Sequence, residues 1–214
     1  MTLARSRGSA DAVLTAFLVV LLAACSGSGA SPSPSAAAAT DCPTSQPAAL
    51  PAGETRTVTI ETAKGDVAIS VQGDLSPIAA GNFVALAECG YYDGVVFHRL
   101  VPGFVIQGGD PTGDGTGGPG YTVQDEEVTA TYHRGTVAMA RTQQPNSQGS
   151  QFFIVLDDQA APALASFNTY AIFGEVTSGM DVVDAIAAMP NAGEAGGNAA
   201  LEPVAMDRVT VSNP

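Results

Sequence analysis

A single arginine, Arg99, lies among apolar and aromatic residues in the segment FHRLVPGFVIQGGD, residues 97–110. Strand periodicity predicts that Arg99 shares a face with Phe97, while His98 points to the opposite face. Gln107 follows in the same segment. A guanidinium carries five N–H donors in a planar fork, so beside an apolar surface it could donate to a group that gains electron density during a reaction. Taken alone, Arg99 is also explained as the partner of a buried carboxylate.

Other catalytic chemistries find little support in the residues. The two histidines, His98 and His133, occur without a CxxC or HxxxH arrangement, so we expect no metal site and no cofactor. Ser150 lies in the string Gly-Ser-Gln and not in the G-x-S-x-G turn of a serine hydrolase. We therefore assign His98 a structural role and look for a reaction that needs no nucleophile.

The elements that must position Arg99 are short strands and two helices. Alternation predicts a hairpin of two strands over residues 56–71. Ser76 and Pro77 are typical of a helix start, and this helix is expected to end at Cys89. The abundance of glycine (24) and proline (14) favours many short elements, as in a barrel or sandwich. Further strands are predicted on either side of Pro102-Gly103 and at 135–140, 151–156, 171–176 and 208–212, with a second helix over 179–188.

The first 24 residues are typical of a bacterial secretion signal. Arg5 and Arg7 precede an apolar run over residues 12–24, which is too short to cross a hydrocarbon core of about 30 Å. The run ends in Leu-Ala-Ala-Cys25, which resembles a lipobox, in which the cysteine is lipidated and becomes the mature N-terminus. We expect a protein outside the cytoplasm, anchored to the outer face of the cell membrane by lipid on Cys25 alone. An ordinary signal peptide cleaved nearby is the alternative.

Residues 25–54 are rich in Ser, Pro and Ala and are predicted to be a tether, followed by one folded domain over residues 55–214. The formal net charge of −13 argues against nucleic acid as a partner, and we expect a monomer. With Cys25 lipidated, Cys42 and Cys89 are left as a possible disulfide in an oxidising compartment. The alternative is two unrelated thiols, with Cys89 a small buried residue at a helix end.

Five strings occur in one order between about Arg56 and Val211. They are GYYDGVVFHRLVPGFVIQGGD (90–110), GTGG (115–118), RGTVAMAR (134–141), NSQGSQFFI (146–154) and FGEVTSGMDVVDAI (173–186). Together they resemble the motifs of the cyclophilin-type peptidyl-prolyl isomerases. The resemblance implies a closed eight-stranded antiparallel β-barrel capped by two α-helices. It also implies a shallow apolar groove that binds an X-Pro bond in an unfolded or extended polypeptide segment.

The resemblance implies roles for individual residues. Arg99 matches the family's catalytic arginine, and Phe104 and Gln107 complete the implied catalytic set. The implied substrate-binding residues are Val105, Ala140, Arg141, Gln151, Phe153 and Tyr170.

These residue types suit rotation about an X-Pro bond. The rotation faces a barrier of about 18–20 kcal/mol because the resonance of the amide is lost. As the bond twists, the proline nitrogen gains a lone pair to which Arg99 could donate. Phe104 and Phe153 would form the apolar floor under the proline ring. The sequence thus predicts an isomerase that assists the folding of exported proteins.

The sequence departs from the family at the rim of the groove. It contains no Trp, which many members carry there, so cyclosporin sensitivity is in doubt. Leu164, Ser166 and Phe167 compete for the rim position. The loop at residues 142–145 is one residue longer than the commonest form, which blurs the match of Arg141. Two alternative functions are considered. The first is a module that binds proline-containing segments without turning them over, and the second, less favoured, is a secreted hydrolase.

Overall fold

The computed structural model describes residues 41–213, so the predicted signal peptide, the lipidation at Cys25 and most of the predicted tether lie outside the described residues. The described part contains nine strands and three α-helices. None of these helices is long and apolar enough to span a bilayer. The strands are β1 Thr55–Thr62, β2 Gly65–Gln72, β3 Val96–Val101, β4 Val105–Gly108, β5 Thr136–Met139, β6 Phe152–Val155, β7 Ile172–Ser178, β8 Ala199–Ala205 and β9 Arg208–Ser212, and the helices are α1 Pro77–Glu88, α2 Ala161–Phe167 and α3 Met180–Ala187.

All nine strands belong to one antiparallel sheet, in the order β8-β3-β4-β6-β5-β7-β2-β1-β9. The mainly β fold is confirmed, but the sheet curls into a half-barrel of nine strands instead of a closed barrel of eight. Within the described residues no ladder joins the edge strands β8 and β9. Between them, Met206 donates to the carbonyl of Val95 (2.8 Å) and Asp207 donates to the carbonyl of Glu61 (2.8 Å).

Two elements were missing from the sequence prediction, and both have weak local signals. Strand β8 contains Pro203, which a sheet tolerates because β8 is an edge strand. Helix α2 is a short helix with Pro162 in its first turn, and it ends at Asn168 in the left-handed conformation. The fold therefore has three helices where two were predicted.

Both faces of the central strands are buried. In β6, Phe152 and Ile154 point into the main core, whereas Phe153 and Val155 belong to a second apolar cluster on the opposite face. In the main core the ring of Phe83, from α1, lies 5.1 Å from the ring of Phe152. Each face of the sheet has its own apolar layer, which explains why β6 is apolar at every position and does not alternate with polar residues.

A segment over residues 42–51 packs along α1, although it falls in the range predicted as a tether. Cys42 is joined to Cys89 by a disulfide bond. Leu50 is buried in the main core and donates its N–H to the carbonyl of Pro77 (2.9 Å). A Cβ at Gly81 would lie 2.7 Å from the nitrogen of Leu50, so only glycine allows the segment to approach the helix this closely.

The glycine-rich loop after β4 is folded around one buried carboxylate, that of Asp110. Its Oδ1 accepts from the N–H and the hydroxyl of Thr112 (both 2.8 Å), and its Oδ2 accepts from the N–H groups of Asp114 (3.1 Å) and Gly115 (2.5 Å). Burial by itself would raise the pKa of Asp110. The hydrogen bonds from Thr112 and from the backbone outweigh burial and lower the pKa to about 2.

The pH dependence of folding stability should report on this carboxylate. Its contribution is complete above the unfolded-state pKa of 3.8 and is lost as the pH falls through about 2. We expect Asp110→Asn to lower the free energy of unfolding at pH 7 by about 2 kcal/mol and to flatten its slope between about pH 4 and pH 2. Urea unfolding across this range measures both effects. Asp114→Asn is the exposed control and should change stability less; equal effects of the two variants would contradict this account.

Candidate functional site

The residues predicted from the sequence converge on one cavity of about 270 Å³. The cavity lies on the face of the sheet that carries the second apolar cluster. Eight of the nine predicted catalytic and substrate-binding residues line it: Arg99, Phe104, Val105, Gln107, Ala140, Arg141, Phe153 and Tyr170. Gln151, the ninth, lines an adjoining cavity of about 630 Å³ beside the glycine-rich loop.

Strand register places the central residues in one row across the sheet. Arg99 of β3 is opposite Gln107 of β4, Gln107 is opposite Phe153 of β6, and Phe153 is opposite Ala138 of β5. Directly opposed residues in antiparallel strands point to the same face and have neighbouring side chains. The polar part of the site (Arg99 and Gln107) therefore lies directly beside its apolar part (Phe153 and Ala138) in a row that the backbone hydrogen bonds of four strands hold in place.

The prediction that Arg99 and Phe97 share a face is wrong. Phe97 is fully buried in the main core, as is Leu100, whereas Arg99 lines the cavity on the other face. The reason is a shift in the pairing of β3 with β8, located between Phe97 and Arg99. Irregularities of this kind re-aim a side chain next to a site. His98 is buried at the same place, and burial lowers its pKa.

Arg99 is held by a chain of side-chain amides. Its Nη1 donates to Oε1 of Gln107 (3.2 Å), and Nε2 of Gln107 donates to Oε1 of Gln151 (2.9 Å). Nε2 of Gln151 in turn donates to the carbonyls of Gly115 (3.0 Å) and Gly117 (2.9 Å). This series of hydrogen bonds begins on the loop anchored by Asp110 and ends at the guanidinium of Arg99, so each side-chain amide has one orientation.

No carboxylate forms an ion pair with Arg99 anywhere in residues 41–213. This disfavours the interpretation of Arg99 as a salt-bridge partner among these residues. Its known partners are neutral oxygens, those of Gln107 and of the Gly197 backbone. A guanidinium with neutral partners keeps its full charge available to a ligand in the cavity.

Arg141, predicted to bind substrate, has protein partners for its guanidinium. Its Nη1 lies 3.0 Å from Oδ2 of Asp125, and the arginine side chain is only 9% exposed. Nη2 donates to the carbonyl of Gln144 (2.7 Å), and Nε donates to the carbonyl of Thr142 (3.1 Å). Arg141 thus lines both cavities while its charge holds the longer loop at residues 142–145 against the site.

The rim of the cavity is formed by α2, and here the structure separates the three competing residues. Phe167 is 66% exposed and lines the cavity. Leu164 also lines it but is buried in the second apolar cluster. The hydroxyl of Ser166 bonds back to the carbonyl of Ala163 (2.7 Å), and Ser166 does not line the cavity. Phe167 is therefore the large apolar side chain free to cover a ligand.

Tyr170 and Phe153 form the apolar corner below this rim. Their rings meet edge to face with centroids 5.4 Å apart, and the ring of Phe167 lies 6.5 Å from that of Tyr170. Such edge-to-face pairs fix ring orientation. Two contributors were missed by the sequence analysis: Ala163 of α2 and the carbonyl of Gly197. A helix start at Pro162 was the available signal for the first.

Comparisons with known proteins agree with this geometry. The sequence profile described as cyclophilin type peptidyl-prolyl cis-trans isomerase/CLD matches residues 57–211. The chain is 41% identical over 163 residues to peptidyl-prolyl cis-trans isomerase CYP18-1 of Arabidopsis thaliana. The aligned region covers 73% of this chain and 97% of that protein. It is 44% identical over 124 residues to peptidyl-prolyl isomerase CWC27 of Cryptococcus neoformans, covering 56% of this chain but only 24% of that protein.

A solved structure shows the same arrangement of the chain. The cyclophilin type peptidyl-prolyl cis-trans isomerase of Cryptosporidium parvum, crystallised in the presence of the dipeptide Ala-Pro, matches with a TM-score of 0.65. The two sequences are 31% identical, and the match covers 74% of this chain and 99% of that one. With its profile match over residues 57–211, this chain belongs to the cyclophilin-type peptidyl-prolyl cis-trans isomerase family.

Proposed function

We propose that this protein catalyses cis/trans exchange of X-Pro bonds in extended polypeptide segments outside the cytoplasm. The observation that carries the proposal is the position of Arg99, a guanidinium with neutral partners on the wall of an apolar cavity. The reaction makes and breaks no covalent bond, so it requires binding and selective stabilisation of the twisted amide. The cavity offers both.

The proposed mechanism follows the change in the amide during rotation. In the planar ground state the nitrogen lone pair is delocalised, and the barrier to rotation is about 18–20 kcal/mol. In the twisted state the lone pair is localised on the proline nitrogen and accepts a hydrogen bond from Arg99. Because this bond forms only in the transition state, it accelerates rotation without tightening binding of the planar substrate.

The apolar residues bind the proline ring and exclude water. Phe153 and Val105 belong to the second apolar cluster, and Phe104 packs against it. A ring seated on this floor is placed beside Arg99 by the cross-strand row. Exclusion of water strengthens the hydrogen bond from the guanidinium because the local dielectric constant falls.

The alternative function is a module that binds proline-containing segments without turning them over. Both functions need the apolar floor, but only catalysis needs a cation held beside it. The chain of amides from Gln151 through Gln107 keeps the guanidinium oriented, which a binding module does not require. The geometry therefore favours the enzyme.

An extracytoplasmic, lipid-anchored location is also part of the proposal. The sequence supports it with the Leu-Ala-Ala-Cys25 string that follows an apolar run. The Cys42–Cys89 disulfide is in accord with it, since disulfides persist in oxidising compartments. The clients would then be exported proteins that fold near the membrane surface.

The central test is cis/trans exchange of an Ala-Pro peptide measured by NMR exchange spectroscopy. We expect wild type to accelerate exchange and Arg99→Ala to lower kcat/KM by roughly 10²–10³-fold, the typical cost of one preorganised donor. Arg99→Lys should also be impaired because an ammonium lacks the planar fork. Equal rates for wild type and Arg99→Ala would refute the mechanism. Peptide binding without acceleration by wild type would favour the binding module.

The rim can be tested separately from the reaction. Phe167→Ala should raise KM about fivefold with kcat nearly unchanged, because the side chain contacts bound peptide in both ground and transition states. Leu201→Ala is the matched control, since Leu201 is equally exposed (63%) but does not line the cavity. If both variants behaved alike, the rim would not contribute to binding.

The anchor is tested by Cys25→Ser in the producing bacterium. We expect wild type in the membrane fraction and the variant in the soluble fraction, because the variant has no thiol to carry the lipid. Cys42→Ser serves as a control that leaves Cys25 intact. Membrane association unchanged by Cys25→Ser would contradict lipidation at that residue.

A further inference from the structure

We propose that the turn at residues 193–198, which precedes β8, orients the guanidinium of Arg99, with Gly197 as its positioning residue. The inference rests on the proposed function and deepens it, because it assigns to the C-terminal part of the domain a role in catalysis. It extends the set of functional residues beyond the cavity lining.

The turn contacts Arg99 and the backbone next to it. The carbonyl of Gly197 accepts from Nε of Arg99 (3.3 Å), and the carbonyl of the next residue, Asn198, accepts from the N–H of Leu100 (2.9 Å). Immediately afterwards Ala199 pairs with Arg99 in the ladder between β8 and β3. Side chain and backbone of the arginine are therefore held by three consecutive residues.

Two anchors on one guanidinium determine its plane. Nε donates to Gly197, and Nη1 donates to Gln107 on the neighbouring strand. An arginine side chain has several rotatable bonds, and one hydrogen bond leaves the planar group free to swing. With both anchors, two of the five N–H donors are engaged, and three are left for substrate, one on Nη1 and the pair on Nη2.

The turn depends on backbone conformations that few residues adopt. Gly193 has φ 67° and ψ 179°, a region essentially restricted to glycine, and Gly197 (φ 66°) and Asn198 (φ 58°) are left-handed. The carbonyl of Gly193 accepts from Gly196 (3.0 Å) and Asn198 (2.8 Å), which closes the turn on itself. The direction of the Gly197 carbonyl thus follows from these dihedral angles.

A matched set of variants separates this role from general stability. A Cβ at Gly197 meets no atom within 4 Å, so a substitution there acts through φ and not through a clash. Gly197→Val disfavours the left-handed conformation strongly, whereas Gly197→Asn favours it. Gly53→Val is the control for strain, because Gly53 also has a positive φ (77°) and open space but lies away from the cavity.

For the Ala-Pro peptide we expect Gly197→Val to lower kcat roughly tenfold with little change in KM, as a misdirected catalytic group does. Gly197→Asn should restore most of kcat, and Gly53→Val should leave it unchanged. In an Arg99→Lys background, which has no Nε–H, Gly197→Val should cause no further fall. Wild-type kcat in Gly197→Val, or an equal fall in the Arg99→Lys background, would overturn the inference.

A second measurement does not depend on turnover. The ¹H–¹⁵N signal of the Arg99 Nε–H group, assigned by its loss in Arg99→Lys, should shift and exchange faster with water in Gly197→Val but not in Gly53→Val. An unchanged signal in Gly197→Val would refute the contact. If wild type failed to accelerate exchange, the proposed function would fall, and this signal would still decide whether the turn holds Arg99.

Discussion

The cross-strand hydrogen bond between Arg99 and Gln107 is the interaction on which the site depends. It joins the guanidinium of Arg99 to the sheet at a position where the register of β3, β4 and β6 is continuous. A charge beside an apolar cluster is costly unless its donors have partners, and neutral partners meet this need without neutralising the charge. The fold can therefore accommodate the charge, and the guanidinium can still donate a hydrogen bond to a localised lone pair.

This arrangement requires a sheet with two apolar faces. The main core lies on one face, with α1 packed into it, and the second cluster on the other face forms the floor of the cavity. Because the floor is made by residues such as Phe153 within a buried strand, it is close-packed like the core itself. The rim from α2, in contrast, is exposed and rests on one short helix. The floor and the rim of the cavity thus differ in burial.

The sequence predicted the central row well and the surroundings less well. Arg99, Gln107 and Phe153 belong to long motifs in register, so their convergence could be expected. The face of Phe97 was predicted wrongly because strict alternation requires regular pairing with the neighbouring strand. The irregular pairing is with β8, a strand that the sequence analysis did not predict because it contains a proline. The sequence did not decide which residue forms the rim, because the exposure of Phe167 depends on where α2 ends. These features arise from long-range pairing, which local patterns do not encode.

The two edges of the sheet are formed by strands that are neighbours in sequence. Only Met206 and Asp207 separate β8 from β9, yet β8 pairs with β3 beside Arg99 while β9 pairs with β1 at the far end of the sheet. Both pairings must therefore wait until this last stretch of the domain is available to fold. A chain without these two strands has the motif residues, but β3 is paired only with β4 and its other edge has no partner strand. The side of the sheet that carries Arg99 is thus complete only after the final strands have docked.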